Sequence, residues 1–216
     1  MQATRIKMCG ITRPEDARFA VESGADAIGL VFYPKSKRYV SPAQAQALLR
    51  DIPPFVASVG LFVDAEAKEV EATLAQVPLS LLQFHGDETA EYCESFRRPY
   101  IKAVRFRVDA DENVSLQTNQ ALLKDVMQEH INAQGFLIDS YHPQHAGGSG
   151  ESFAWSQIPD QLERPIILAG GLSASNVGDA ISQVQPYAVD VSSGIESQPG
   201  EKSVELMSAF VAAVRP

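Results

Sequence analysis

The chain has 216 residues, 45% apolar and 21% charged, which is close to soluble globular averages and argues against intrinsic disorder. There are 27 acidic side chains against 18 basic ones, for a formal charge of −9. That balance argues against the basic stripe a nucleic-acid partner requires. A small anionic ligand stays open, because a few backbone N–H groups and one or two cations suffice to hold one. The first residues carry no apolar core of signal-peptide length, and no uncharged apolar run is long enough to cross a bilayer, so the expectation is a soluble, cytoplasmic protein. Cys9 and Cys93 are too few for a disulfide framework and read as free thiols.

In chain order, strand-like apolar runs alternate with helical patterns, and no linker separates them. The runs are Arg5–Cys9, Ala27–Phe32, Val56–Phe62, Leu81–His85, Tyr100–Arg105, Gly135–Asp139, Ile166–Ala169 and Ala188–Ser192. Most are apolar throughout, as parallel strands covered on both faces should be. Between them, Thr12-Arg13-Pro14-Glu15 and Ser41-Pro42-Ala43-Gln44 fit the capping box. Asp64 before 65–77 and Asp87 before 88–96 are further N-cap candidates, and Val204–Val214 has an apolar face of helical period. The helix after Trp155 should be short. Eight β-α units in this length predict a single-domain α/β protein, a (β/α)8 TIM barrel with its active site at the strand C-terminal ends. A doubly wound open sheet is the alternative.

Polar residues at those ends therefore carry the functional reading. Alternation along the first strand turns Lys7 and Cys9 inward and Ile6 and Met8 toward the helices. By the same rule Gln83 and His85 point inward from the fourth strand, and Asp190 and Ser192 from the eighth. Asp139 caps a strongly apolar sixth strand; a partly desolvated carboxyl there is suited to delivering a proton near neutral pH. Gly170-Gly171 and Ser193-Gly194 lie in the two loops where barrels of this kind hold phosphate. Gly147-Gly148-Ser149-Gly150 reads as a flap, and Arg38, in a loop with Lys35 and Lys37, offers a planar fork for a carboxylate. His142 and His145 have no third ligand at metal spacing, so no metal site is expected.

Together Lys7-Met8-Cys9-Gly10-Ile11-Thr12, the loop with Ser36 and Arg38, Gln83-Phe84-His85-Gly86, Leu137-Ile138-Asp139-Ser140, the glycine flap, Leu168-Ala169-Gly170-Gly171-Leu172 and Asp190-Val191-Ser192-Ser193-Gly194-Ile195-Glu196 resemble the phosphoribosylanthranilate isomerase family of tryptophan biosynthesis. The match spans essentially the whole chain. Ser149 stands where the family usually has Thr, and Met8 and Phe84 where Ile and Leu are common. The resemblance implies an Amadori rearrangement of a phosphosugar, without cofactor or metal, by a monomer or homodimer. It implies Asp139 as general acid and Cys9 as general base, with Gly170, Gly171, Ser193 and Gly194 on the phosphate and Arg38 on the anthranilate carboxylate. Lys7, Gln83, His85, Gly148 and Asp190 complete the substrate-binding set. A free thiol titrates near ~8.5, so a base active near neutrality needs about 2 kcal/mol of thiolate stabilisation. Lys7, about 6.6 Å along the strand, is the expected source of part of it.

Overall fold

The computed structural model describes residues 3–107, 112–141, 155–159 and 162–215. Eight parallel strands close into a barrel: β1 (Arg5–Cys9), β2 (Ala27–Val31), β3 (Ala57–Phe62), β4 (Leu81–Phe84), β5 (Tyr100–Arg107), β6 (Gly135–Tyr141), β7 (Ile166–Leu168) and β8 (Ala188–Val191). Neighbours in sequence are neighbours in space, and β8 returns to β1, with Lys7 in register with Asp190. Around it lie α1 (Pro14–Ser23), α2 (Pro42–Leu49), α3 (Ala67–Leu74), α4 (Ala90–Ser95), α5 (Glu112–Glu129), α6 (Val177–Val184) and α7 (Val204–Val214). After β6 the described helical element is a single 3-10 turn, Trp155–Gln157, short as expected. A small hairpin of β9 (Glu196–Gln198) and β10 (Glu201–Lys202) follows β8. Among the described residues, no helix is long and apolar enough to cross a membrane.

The strand alternation holds. Ile6, Met8, Ile28, Leu30, Phe84, Ile138 and Val189 pack in the main core with residues of the surrounding helices, while Ile101, Ala103, Leu137, Ile167, Ala169 and Ala188 form a separate apolar cluster. That second cluster occupies the barrel interior, and buried Lys7 and Gln83 share the inward-facing rows. Gly29 makes room for them: a Cβ there would sit 2.7 Å from Cys9 Sγ and 3.1 Å from Lys7 Nζ.

Helix starts divide into local and tertiary cases. Ser41 caps α2 as expected: its hydroxyl accepts from Gln44 N–H, whose side chain in turn accepts from Ser41 N–H. Thr12 is no cap; its hydroxyl donates to the Gly200 carbonyl at 2.5 Å, and α1 starts at Pro14 with Arg13 before it. Asp64 is no cap for α3, which begins at Ala67. Asp64 takes a left-handed turn (φ 47°), and its Oδ1 accepts from Asp87 N–H. Asp87 does not start α4 either, since Thr89 accepts from Tyr92 N–H instead.

The cause of both shifts is Glu88. Its carboxylate leaves the helix position and turns inward to Lys102 Nζ (2.7 Å), and also accepts from Asp64 N–H and Gly86 N–H, both at 2.9 Å. Lys102 donates to the Gly86 carbonyl as well, so one buried cation ties together the loops that follow β3 and β4. Replacing Lys102 by Met strands the Glu88 carboxylate in the core. Denaturant unfolding of Lys102→Met is therefore expected to show a loss of about 3–5 kcal/mol, and a change under 1 kcal/mol would refute this account of the loops.

Candidate active site

The C-terminal ends of the strands gather a set of charges, each with a partner. Lys7 Nζ and Asp190 Oδ1 lie 2.8 Å apart, both nearly inaccessible to water. Burial works against the Lys7 charge, but Asp190 and Cys9 more than offset it and hold the ammonium above its ordinary range. Burial raises Asp190, and Lys7 opposes that rise.

Cys9 tops β1 and is 5% exposed. Burial pushes its thiol up, Lys7 pulls it down, and Asp190 pushes it up again. The expected help from Lys7 is therefore real in sign but outweighed: Lys7 is shared with Asp190, and the thiol lies out of water. Burial thus favours the neutral thiol of Cys9 over its thiolate.

On the other side of the mouth, His85 Nε2 lies 3.2 Å from Asp139 Oδ2, with Gln83 Nε2 2.9 Å from His85 Nδ1. Gln83 is fully buried beneath the histidine, whereas His85 and Asp139 are partly open. Next to Asp139 in the strand register, Arg105 donates to Asp87 Oδ1 at 2.9 Å.

Arg38 enters from the loop after β2 and crosses the end of β1, where Gly10 gives way to it; a Cβ on Gly10 would fall 2.4 Å from Arg38 Cδ. Its fork is not empty. Nε and Nη2 donate to the two oxygens of Glu196 at 2.7 and 2.6 Å, and Lys202 Nζ donates to Glu196 Oε1 at 2.9 Å. Burial raises Glu196, but the bonds from Arg38 and Lys202 win and leave it below the usual carboxylate value. Ser192 joins the same corner: its carbonyl accepts from Lys202, and its hydroxyl donates to the Cys9 carbonyl at 3.0 Å.

The two glycine loops meet as expected. Gly170 and Gly171 are both left-handed (φ 83° and 64°), and Asn176 clamps the turn by donating to the Gly171 carbonyl and accepting from Ser173 N–H. Gly194 packs so closely on this turn that a Cβ would lie 2.0 Å from the Leu172 oxygen. Ser193 opens the 3-10 turn Ser193–Ile195 beside it. Gly148, with the rest of the flap, and the His142 and His145 pair lie outside the described residues.

A family model described as N-(5'-phosphoribosyl)anthranilate (PRA) isomerase matches residues 6–213. The chain belongs to the phosphoribosylanthranilate isomerase family. It is an isomerase of tryptophan biosynthesis. Among curated relatives, the N-(5'-phosphoribosyl)anthranilate isomerase of Azotobacter vinelandii is 53% identical over 215 residues, covering 100% of this chain and 99% of that one. Its namesake from Pseudomonas syringae pv. syringae is 51% identical, covering 99% and 98%. The crystal structure of the Thermotoga maritima family member superposes with a TM-score of 0.83 at 38% identity, covering 98% of each chain. Another family structure, in complex with reduced 1-(o-carboxyphenylamino)-1-deoxyribulose 5-phosphate, is 36% identical, with a TM-score of 0.78 and 98% of each chain covered.

Two residues of the Arg38 corner escape a reading of strand ends, Glu196 and Lys202. Glu196 follows the eighth-strand motif directly, and Pro199-Gly200 between the two is a turn signal that would have folded Lys202 back onto it. Lys7→Met removes the cation that lowers the Cys9 thiol, so ultraviolet titration of the thiolate should show an upward move from the wild-type value; an unmoved titration would exclude Lys7 as an influence.

Proposed function

We propose that this chain converts N-(5-phosphoribosyl)anthranilate into 1-(2-carboxyphenylamino)-1-deoxyribulose 5-phosphate, with Asp139 as general acid and Cys9 as general base. The observation that supports this most directly is that the closed parallel barrel carries Cys9, the last residue of β1, and Asp139, near the end of β6, at the same C-terminal mouth. Asp139 protonates the furanose ring oxygen, the C1′–O bond breaks, and the nitrogen lone pair makes an iminium ion. Cys9, as its thiolate, takes the C2′ proton, the C–H electrons neutralise the nitrogen, and the resulting enolamine tautomerises to the ketone. The two residues supply both proton transfers, so the scheme calls for no metal or cofactor.

The remaining parts follow the geometry. The turn at Gly170-Gly171 and the loop at Ser193-Gly194 hold the phosphate, with glycine allowing close backbone approach. Arg38 holds the anthranilate carboxylate through its Nη1 side, while Glu196 keeps the Nε–Nη2 side oriented. Lys7, His85 and Asp190 line the floor of the mouth, Gln83 lies beneath it, and Gly148 is assigned to the flap. The relatives are matched over 97–99% of their length, which supports a single monofunctional barrel. Its partner is a phosphosugar, its place the cytoplasm, and its state a monomer or a homodimer; one Thermotoga maritima relative is described as dimeric.

Turnover of the substrate, generated in situ and followed by its fluorescence loss, tests the assignment. Folded Cys9→Ala and Asp139→Asn should each lose about 10²–10⁴-fold in kcat; activity surviving in either removes that residue's role, and a wild type no faster than the spontaneous reaction removes the function. Arg38→Ala should raise KM by roughly 10- to 100-fold, the value of a charged hydrogen-bonded pair. An unchanged KM would take the carboxylate away from Arg38.

A further inference from the structure

Gln83 is buried to 0% exposure, yet its side-chain Oε1 has no hydrogen-bond partner among the described residues. Its register neighbours on the flanking strands, Leu61 and Ile101, are apolar. An apolar side chain of the same size would fill this position without stranding an oxygen, so the amide is retained for its other end, the Nε2 group 2.9 Å from His85 Nδ1. An amide NH2 only donates, and Nδ1 must then accept. A neutral ring that accepts at Nδ1 carries its proton on Nε2, which is the nitrogen 3.2 Å from Asp139 Oδ2. The two contacts agree with each other: a reversed amide would put the proton on Nδ1 and aim an Nε2 lone pair at the Asp139 carboxylate.

We propose that Gln83 is a positioning residue that fixes His85 in its Nε2–H tautomer and thereby decides which oxygen of Asp139 carries the acid proton. The inference rests on Asp139 being the general acid. With Oδ2 occupied as an acceptor from Nε2–H, the proton of the neutral acid resides on Oδ1, the oxygen left to face the substrate. When that proton departs, the same bond becomes charge-assisted and strengthens, favouring transfer. In the opposite tautomer, Nε2 is an acceptor and draws the acid proton to Oδ2, away from the ring oxygen it has to reach. His85 is thus a one-way support for Asp139, and Gln83 sets its direction.

The test has a spectroscopic and a kinetic arm. Long-range nitrogen–proton correlation spectra of the free protein, with His85 assigned by its loss in His85→Gln, should show a protonated Nε2 and an unprotonated Nδ1. Gln83→Glu, whose carboxylate accepts from Nδ1–H, should reverse that pattern, lowering kcat by about 10- to 100-fold while KM stays within about twofold. Gln83→Leu should lower kcat several-fold more in the wild-type background than in His85→Gln, where no tautomer remains to be set and the new amide donates to Asp139 directly. Equal losses from Gln83→Leu in both backgrounds would reduce Gln83 to a packing role and overturn the proposal, as would a wild-type ring protonated on Nδ1. A wild type without turnover overturns the acid role of Asp139, whereas the ring-nitrogen shifts judge Gln83 independently of it.

Discussion

Lys7 on β1 and Asp190 on β8 face each other at the seam where the last strand rejoins the first, 2.8 Å apart and nearly cut off from water. Closure of the sheet brings them together, and neither ion is tolerable there without the other: removing one partner of such a pair typically costs about 3–5 kcal/mol. The interior must therefore be polar on this side, and the apolar filling is confined to the cluster around Ile101, Leu137 and Ile167. Gly29 follows from the same constraint, because a methyl group there would displace Cys9 Sγ or the Lys7 ammonium. Cys9 inherits its field from the pair, with a cation that favours the thiolate, an anion that opposes it, and burial exceeding both.

The same solution recurs around the rim. Lys102 and Glu88 tie the loops after β3 and β4 from behind, and Arg38 and Lys202 share Glu196. A buried ion pair is a weak source of net stability compared with apolar packing, but it has one geometry and many wrong ones. Strand ends and loops held this way keep reacting groups within tenths of an ångström of their places without help from a ligand. In the Arg38 corner the formal charges sum to about +1. Glu196 thus orients the guanidinium without cancelling its attraction for an anion, because Lys202 balances it.

What the sequence made legible was whatever depends on short-range periodicity. Parallel strands buried on both faces read as unbroken apolar runs, so β1 and α7 begin and end where the pattern places them, and the other strands differ by one or two residues. The inward set Lys7, Cys9, Gln83, His85, Asp190 and Ser192 is read from a period of two, Asp139 from its place at the end of an apolar run, and the Ser41 cap from a contact three residues away. Illegible were the contacts that span the chain. Thr12 looks like a cap until Gly200, 188 residues distant, offers a carbonyl. Asp64 and Asp87 look like caps until Lys102 draws Glu88 inward and remakes both loops. Arg38 looks like an empty receptor until the β9–β10 hairpin delivers Glu196 and Lys202. Charged side chains have no periodicity that announces their partners.

Burial of the thiol bears on the order of events in the proposed reaction. Burial that favours the neutral thiol weakens Cys9 as a base, and equally its reactivity toward oxidants and electrophiles, which attack the thiolate in preference. Ring opening places an iminium cation in the same mouth, and in a site shielded from water a nearby positive charge favours the thiolate much as Lys7 does. The base is therefore strongest once Asp139 has delivered its proton and weakest when the site is empty. In the proposed scheme the acid step therefore comes first, at an Asp139 that His85 contacts from the rim and buried Gln83 supports from below.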